Sequence, residues 1–175
     1  MRMDQTKNKK LIIIRGNSGS GKTTVAKALR HILGHNIMLL SQDVVRRKIL
    51  RVKDRADTLA LPLMQELLEY GWKYCDIVIV EGILRYEWYK PLFEKALQLY
   101  GRNNILAYYY DLSFEETLLR HQMRPSKSDF GEKEMREWWK EKDYMDIITE
   151  QRLTQEKSVD YVTDLICKDI KDYSR

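Results

Sequence analysis

The 175-residue sequence has the length of one domain that can bury its own core, and we expect residues 1–175 to form a single domain. A hydrophobic content of 43% and a charged content of 33% are typical of a globular protein and exclude a disordered chain. No apolar run approaches the ~20 residues that cross a bilayer, and the basic start lacks the apolar part of a signal peptide. We therefore expect a cytoplasmic protein without a membrane partner.

The net charge of +5 is compatible with nucleic-acid binding, because Lys and Arg side chains neutralise phosphates. The basic residues are scattered along the chain, however, and no aromatic motif of the RNA-binding kind accompanies them. A nucleic acid is therefore the less favoured partner, and a polyphosphate substrate accounts for the charge equally well.

Apolar runs alternate with helical patterns along the chain, which is typical of a parallel sheet covered by helices. Residues 10–15 predict a buried strand, and a Gly-rich turn follows it. The helix expected after this turn ends at Gly34. Its apolar residues at helical spacing are Val25, Leu29, Ile32 and Leu33. Residues 37–40 are the second predicted strand.

The second half of the chain continues the alternation. A helix with Pro62 in its first turn precedes the predicted strand 76–80, a helix over 88–99 follows, and residues 105–110 predict the fourth strand. The apolar face predicted for the first of these helices consists of Leu59, Leu63, Leu67 and Tyr70. Ser113 and Glu116 form a capping-box pattern that starts the next helix. A short fifth strand near 151–154 and a closing helix capped by Ser158 complete the pattern; that helix carries Val159, Val162, Ile166 and Ile170.

Residues 120–142 interrupt this alternation. The segment is heavily charged, contains Pro125, Ser126 and Gly131, and ends near Trp138 and Trp139. This composition predicts a mobile flap, or lid, with a helical second half. We expect the two Trp side chains to fix that helix and not to stack on a base.

Residues 16–23 read Gly-Asn-Ser-Gly-Ser-Gly-Lys-Thr, a complete match to G-x-x-x-x-G-K-[ST] between a strand and a helix. The backbone N–H groups of such a loop surround phosphate oxygens, and the helix N-terminus adds partial positive charge. Lys22 is expected to reach the β- and γ-phosphates and Thr23 to hold Mg²⁺, so the predicted cofactors are ATP and Mg²⁺. The predicted nucleotide-binding residues are Gly16, Asn17, Ser18, Gly19, Ser20, Gly21, Lys22, Thr23 and Thr24.

Asp43 follows the second predicted strand, and Arg46 lies one helical turn further on. The carboxyl ends of parallel strands line the ligand crevice in sheets of this kind. A carboxylate there can take a proton from an attacking hydroxyl, while Arg46 can bind a polar or anionic acceptor. The alternative is that Asp43 caps a surface helix and pairs with Arg46.

Glu81 ends the third predicted strand, and Gly82 permits a close turn after it. An acid in this position can hold Mg²⁺ through water or bind the acceptor; the alternative is a strand-end acid without a role. Arg85 is a further candidate for acceptor binding.

Arg120 and Arg124 are four residues apart, so a continuing helix would place both guanidinium groups on one side, at the mouth of the flap. Phosphoryl transfer needs positive charge on the transferred group, which a closing lid can supply. The alternative is a solvated basic helix end, and Arg136 is a third candidate. The histidines have no metal or triad spacing and are interpreted as surface residues: His31, His35 and His121.

These stretches together resemble the P-loop kinases of small molecules and nucleotides, particularly the branch of phage polynucleotide kinase, the zeta toxins and chloramphenicol phosphotransferase. Asp43 and Arg46 resemble the D-x-x-R of polynucleotide kinases, in which the Asp activates the acceptor hydroxyl. Glu81 and Arg85 lie in a stretch similar to the E-G-x-x-R of zeta toxins, and the apolar run before it is similar to that of uridine kinases.

The pattern of Phe114, Arg120 and Arg124 resembles the hinge and lid arginines of the same superfamily. The resemblance implies a three-layer α/β P-loop NTPase fold with a five-stranded parallel sheet in the order 2-3-1-4-5 and a helical lid. It also implies an active site at the carboxyl edge of the sheet.

The residues and the resemblance predict an ATP-dependent kinase that phosphorylates a hydroxyl of a small acceptor, such as a nucleoside, a sugar or an antibiotic-like compound. The predicted catalytic residues are Lys22, Asp43, Arg120 and Arg124, the acceptor-binding residues Asp43, Arg46, Glu81 and Arg85, and the metal-binding residues Thr23 and Glu81. A polynucleotide 5′-hydroxyl kinase and a non-catalytic nucleotide-binding switch remain as alternatives. The base of the donor nucleotide, the oligomeric state and the choice between Asp43 and Glu81 as general base stay open.

Overall fold

A computed structural model describes residues 9–123, 131–155 and 157–172. Five parallel strands form one sheet in the order β2-β3-β1-β4-β5. The strands are β1 (Lys10–Gly16), β2 (Ile37–Ser41), β3 (Ile77–Gly82), β4 (Ile105–Tyr110) and β5 (Gln151–Leu153). The predicted strand order is therefore confirmed, and each strand lies within two residues of its predicted bounds.

Helices cover both faces of this sheet. They are α1 (Lys22–Leu33), α2 (Ala60–Tyr74), α3 (Tyr86–Tyr100), α4 (Phe114–Gln122), α5 (Glu132–Trp138) and α6 (Val159–Asp172). A π-helical segment covers Val44–Leu50, and a short 3-10 turn covers Arg102–Asn104. In the described part of the chain, no helix is both long enough and apolar enough to cross a membrane.

The central strand β1 shows why the sequence folds into three layers. Its side chains alternate, so that Leu11 and Ile13 pack on one side with α2 and α3, while Ile12 and Ile14 pack on the other with α1 and α6. All four side chains are at most 1% exposed. Burying a side chain of this size contributes roughly 1.5–3 kcal/mol. A strand buried on both faces needs an unbroken apolar run, and β1 has one.

The predicted apolar face of α2 is correct for Leu63 and Leu67, which pack against the core, and wrong for Leu59 and Tyr70. Leu59 lies before the helix and is 65% exposed, and Tyr70 is 57% exposed. The buried residues of α2 are Ala60, Met64, Leu68 and Gly71. Apolar side chains occur on more than one side of this helix, so helical spacing fits several faces. Packing selects the side with Gly71, where an added Cβ would lie 2.5 Å from Cγ2 of Val78 on β3.

Two further interpretations need correction. Ile32 is 59% exposed, because α1 is buried through Val25, Ala26 and Leu29. His121 is only 4% exposed and is therefore not a surface residue, since it lies on the inner side of α4.

The helix starts agree with the sequence pattern. Ser113 Oγ accepts a hydrogen bond from the backbone N–H of Glu116 (3.2 Å), and Ser158 Oγ accepts one from Tyr161 (3.1 Å). The Glu116 carboxylate instead accepts a hydrogen bond from Arg120, so its predicted return bond to the start of α4 is replaced by an ion pair within the helix.

The predicted flap is described in part. Arg120 belongs to α4, and α5 confirms the helical second half. Trp139 packs edge-on against Phe114 with ring centroids 5.2 Å apart, which supports its predicted role in holding this region. Residues 124–130, and with them Arg124, Pro125 and Ser126, lie outside the described residues.

Candidate active site

The Gly-rich loop, residues 16–23, connects β1 to α1 at the carboxyl edge of the central strand. Gly19 has a φ of +85°, which side chains disfavour. A Cβ at Gly19 would also lie 2.4 Å from the Thr117 carbonyl oxygen and 3.0 Å from Cε of Met135. Glycine is therefore needed here for its backbone conformation and because α4 and α5 pack directly on the loop.

Lys22 is 7% exposed and lies within the turn of this loop. Its Nζ donates hydrogen bonds to the Asn17 carbonyl oxygen (2.7 Å) and to Ser20 Oγ (3.1 Å). These bonds hold the ammonium group inside the turn of the loop. The role of Lys22 in phosphate binding stays a prediction.

Thr23, Ser41 and Glu81 form a cluster of oxygen ligands beside the loop. The parallel register of β2 and β3 pairs Ser41 with Glu81, and Glu81 is 2% exposed. Its carboxylate accepts hydrogen bonds from Thr23 Oγ1 (3.1 Å) and from Ser41 Oγ. The predicted metal residues Thr23 and Glu81 are therefore adjacent.

This cluster fits Mg²⁺, which prefers oxygen ligands and is usually bound by one or two protein groups together with phosphates and water. Residues 9–123, 131–155 and 157–172 contain no group of three or more His, Cys, Asp or Glu residues that could hold a metal alone. Thr23 and Glu81 would therefore hold Mg²⁺ jointly with phosphate oxygens.

Asp43 stands at the start of the π-helical segment, and its side chain is 58% exposed. Its Oδ1 accepts a hydrogen bond from Arg46 Nη2 at 2.9 Å and lies 3.4 Å from Arg47 Nε. The side chain makes no capping hydrogen bond. The ion pair of the alternative interpretation is thus present, whereas its helix cap is not.

A pocket of about 450 Å³ lies next to Arg46. The side chains that line it come from distant parts of the chain and include Arg46, Lys53, Asp54, Arg85, Trp88 and Trp138. Two predicted acceptor residues, Arg46 and Arg85, therefore share one pocket. Asp43 contacts this lining through Arg46, and Glu81 belongs to the cluster beside the loop. We call this space the acceptor pocket.

Asp54 is a residue of this pocket that no sequence pattern indicated. Its carboxylate accepts hydrogen bonds from the Tyr89 hydroxyl (2.9 Å) and from Gln42 Nε2 (3.0 Å). Burial raises the pKa of Asp54, and the Tyr89 hydrogen bond and the charge of Arg46 offset this only in part. Asp54 lies in a short charged stretch between helices, which resembles a solvated loop in the sequence.

Gln42 holds Asp54 and the turn after β3 together. Its Oε1 accepts a hydrogen bond from the backbone N–H of Leu84 (3.1 Å) while its Nε2 donates to Asp54. A Cβ at Gly82 would lie 2.5 Å from Gln42 Oε1. Gly82 therefore permits the expected close turn, because a side chain at this position would collide with Gln42.

Arg120 projects from α4 against the Gly-rich loop. Its Nη1 donates to the Ser20 carbonyl oxygen and its Nη2 to that of Gln155, both at 3.0 Å, and its Nε pairs with Glu116. The side chain thus links the loop to the segment after β5. Arg136, the third candidate, is exposed, pairs with Glu132 and stacks on Phe114.

Asn17 fastens the loop to the segment that follows α5. Its Nδ2 donates to the Lys140 carbonyl oxygen (2.8 Å), and its Oδ1 accepts from the Lys140 backbone N–H (3.0 Å). Asn17 was predicted as a nucleotide-binding residue. Its side chain bonds to the backbone of Lys140 and so holds the loop in place.

Arg15 is a fully buried cation that the sequence did not single out. Its guanidinium group donates to Asp143 Oδ2 (2.8 Å), Glu150 Oε1 (3.1 Å) and the Leu84 carbonyl oxygen (3.1 Å). Burial raises the pKa of Glu150, although the charge of Arg15 opposes this shift. Arg15 therefore joins the strand that carries the loop to the turn before Arg85 and to the segment after α5.

The profile of a family described as "AAA domain" (AAA_33) matches residues 11–138. No match is found among curated proteins. Among solved structures, a gluconokinase from Sinorhizobium meliloti 1021 is 16% identical with a TM-score of 0.62, covering 95% of this chain and 94% of that chain.

A shikimate kinase from Aquifex aeolicus VF5 is 20% identical with a TM-score of 0.53, covering 93% of this chain and 96% of that chain. The tunicamycin resistance protein from Deinococcus radiodurans is 15% identical with a TM-score of 0.58, covering 93% and 95%. At these identities the likeness concerns the fold. The matched family covers the Gly-rich loop, Glu81 and Arg120 in one continuous stretch. The chain belongs to the AAA_33 family of AAA domains and has the fold of the P-loop small-molecule kinases.

Proposed function

We propose that the protein is a kinase that transfers the γ-phosphoryl group of ATP to a hydroxyl group of a small molecule bound in the acceptor pocket. The observation that carries this proposal is the continuity between the Gly-rich loop and that pocket. Thr23 contacts Glu81, and Glu81 contacts Ser41 at the end of β2. The next residue, Gln42, contacts Asp54 in the pocket.

On the nucleotide side, the loop amides and Lys22 would bind the triphosphate, and Thr23 and Glu81 would hold Mg²⁺. The ion would supply positive charge against the negative charge that develops during phosphoryl transfer. Arg120 is held against the Ser20 carbonyl oxygen, close to the loop, where its charge contributes to the same field. We expect Arg124 to add a second cation from the lid.

On the acceptor side, Asp43 is the proposed general base. Its carboxylate follows the carboxyl end of β2, and the ion pairs with Arg46 and Arg47 restrict its orientation. Removing a positioned base typically costs about 10²–10⁴ in rate. A nucleotide-binding switch needs no such base and no acceptor pocket, which favours a kinase.

The test is acceptor-dependent ADP release from ATP, measured across nucleosides, sugars, sugar acids, antibiotics and an oligonucleotide with a 5′-hydroxyl. We expect at least one small acceptor to accelerate ADP release and to become phosphorylated. ADP release that no acceptor accelerates would favour the switch. Preferential 5′ phosphorylation of the oligonucleotide would favour a polynucleotide kinase.

The role of Asp43 is tested with Asp43→Asn, which keeps the size of the side chain and removes its basicity. We expect kcat to fall by about 10²–10⁴, with unchanged ATP affinity and melting temperature. Asp57→Asn is the matched control, because Asp57 is an exposed loop residue that pairs with Arg55. A fully active Asp43→Asn enzyme would leave Glu81 as the next candidate base.

A further inference from the structure

The acceptor pocket has two aromatic side chains, Trp88 on α3 and Trp138 at the end of α5. Both are partly buried, and each lies under an arginine: Arg85 is 4.3 Å from the ring centroid of Trp88, and Arg47 is 5.8 Å from that of Trp138. Flat apolar surfaces of this kind suit the body of a small molecule, while the polar lining orients it. The polar lining therefore indicates the chemistry of the acceptor.

Three cations line this pocket: Arg46, Lys53 and Arg85. Among the described residues, no carboxylate lies within 4.0 Å of the side-chain nitrogens of Lys53 or Arg85. Stacking on Trp88 orients the Arg85 guanidinium group and leaves its N–H groups available for hydrogen bonds. Two of the three cations thus lack a counter-charge from the described part of the chain.

Arg46 is paired in part only. Its Nη2 donates to Asp43, but its Nε is buried and has no hydrogen-bond partner in the part of the chain that the structure describes. A buried donor without a partner costs free energy, and native proteins rarely leave one unsatisfied. The ion pair with Asp43 therefore leaves part of the hydrogen-bonding capacity of Arg46 unused.

The carboxylates of the lining compensate these cations only in part, since the charge of Arg46 acts on Asp54. Asp54 is engaged by Gln42 and Tyr89, and Glu137 is exposed. Neither forms an ion pair with a pocket cation in the described ranges. The pocket therefore contains two cations without an ion-pair partner, Lys53 and Arg85, beside flat apolar walls.

We propose that the acceptor carries a negatively charged group, a carboxylate or a phosphate, beside the hydroxyl that is phosphorylated, and that Arg46, Lys53 and Arg85 bind this group. This inference rests on the proposed function, because it concerns the acceptor site of that reaction. Guanidinium groups bind carboxylate and phosphate in the same bidentate geometry, so the two sources share one chemistry.

The experiment compares related acceptors with and without a negatively charged group. A neutral hexose is set against its aldonic acid and its 1-phosphate, and a nucleoside against its monophosphate. Equilibrium binding and the KM of acceptor-dependent ADP release are measured for each. We expect the charged member of at least one set to bind more tightly and to have the lower KM, and the aldonic acid and the phosphates distinguish the two sources of charge.

The matched variants are Arg85→Gln and, as a control, Arg55→Gln, which alters an exposed arginine paired with Asp57 outside the pocket lining. A hydrogen bond to a charged group corresponds to about 10- to 100-fold in affinity. Arg85→Gln should therefore raise the KM of the charged acceptor by about 10- to 100-fold, leaving the KM of ATP unchanged. Lys53→Gln should act in the same direction, and Arg55→Gln should have no effect.

Each outcome is decisive. Transfer to the neutral member with an equal or lower KM would overturn this inference and leave the proposed function intact. Binding of the anionic member that depends on Arg85, without acceptor-dependent ADP release, would support the inference and contradict the proposed function. An equal effect of Arg85→Gln on charged and neutral acceptors would also overturn it.

Discussion

The Gly-rich loop and the acceptor pocket are built in different ways. The loop consists of consecutive residues, 16–23, whose conformation depends on glycine and on backbone amides. The acceptor pocket takes its side chains from the π-helical segment and the stretch after it, from the turn after β3 and the start of α3, and from α5. A site made from one short segment is visible in a sequence, whereas a site made from distant segments exists only after folding.

Arg15 connects these two regions. It precedes the loop on β1 and bonds to the carbonyl oxygen of Leu84, next to Arg85 of the pocket. It also bonds to Asp143 and Glu150 in the segment that follows α5. The difference between the two regions can therefore be tested by substituting a residue of the loop, then Arg15, then a residue of the pocket.

The largest effect is expected in the loop. Lys22→Ala removes the charge that we propose acts on the transferred phosphate, so kcat should fall by several orders of magnitude. Binding of the acceptor should not change, because the acceptor pocket does not include Lys22. Lys27→Ala, on the exposed side of α1, is the control. Unaltered turnover in a folded Lys22→Ala protein would remove the loop from the mechanism.

The connection is tested by Arg15→Met, which leaves Asp143 and Glu150 without their cation. Breaking a buried ion pair by removing one partner typically costs about 3–5 kcal/mol of stability. We expect a loss of this size in the free energy of unfolding by urea, and weaker binding of both ATP and the acceptor.

Arg30→Met is the matched control for this variant, because Arg30 is exposed on α1 and surface changes usually stay within about 0.5 kcal/mol. A variant that weakens the binding of one substrate only would contradict the role of Arg15 as a connection between the two regions.

The smallest effect concerns the pocket and depends on pH. Because burial raises the pKa of Asp54, the folded state binds this proton more tightly than the unfolded state. The stability that the group contributes is therefore fully present below pH ~4 and is lost as pH rises through the folded pKa. Asp54→Asn has no such loss. The free energy of unfolding of the variant, relative to that of the wild type, should therefore increase from pH ~3 to pH 7.

Urea unfolding of both proteins at the two pH values measures this difference. The groups that face Asp54 are Gln42, Tyr89, Arg46 and Asp43, and they remain in the variant. Asp57→Asn is the control, since Asp57 lies in the same loop and is exposed. A stability difference between Asp54→Asn and the wild type that does not change with pH would contradict the raised pKa of Asp54.

Features that depend on neighbouring residues were predictable from the sequence. The strand β1, the loop and the caps at Ser113 and Ser158 follow from local patterns of apolar residues, glycines and hydroxyl groups. The strand order was implied by the resemblance to P-loop kinases and is confirmed. The adjacency of Thr23 and Glu81 follows from that order, because Glu81 lies at the carboxyl end of β3 and Thr23 follows the loop at the carboxyl end of its neighbour β1.

Features that depend on competition between faces or on distant partners were decided by the tertiary structure. The sequence of α2 offers several apolar faces, and contact with Val78 selects the one with Gly71. From the sequence alone, a charged residue such as Asp54 or Arg15 is expected to be exposed to solvent. Its burial costs desolvation free energy, which only hydrogen bonds and ion pairs with residues from elsewhere in the chain offset. For Asp54 these partners are Gln42 and Tyr89, and for Arg15 they include Asp143 and Glu150, more than a hundred residues away. The sequence by itself thus determined the Gly-rich loop, and only the tertiary structure assembled the pocket beside Arg46.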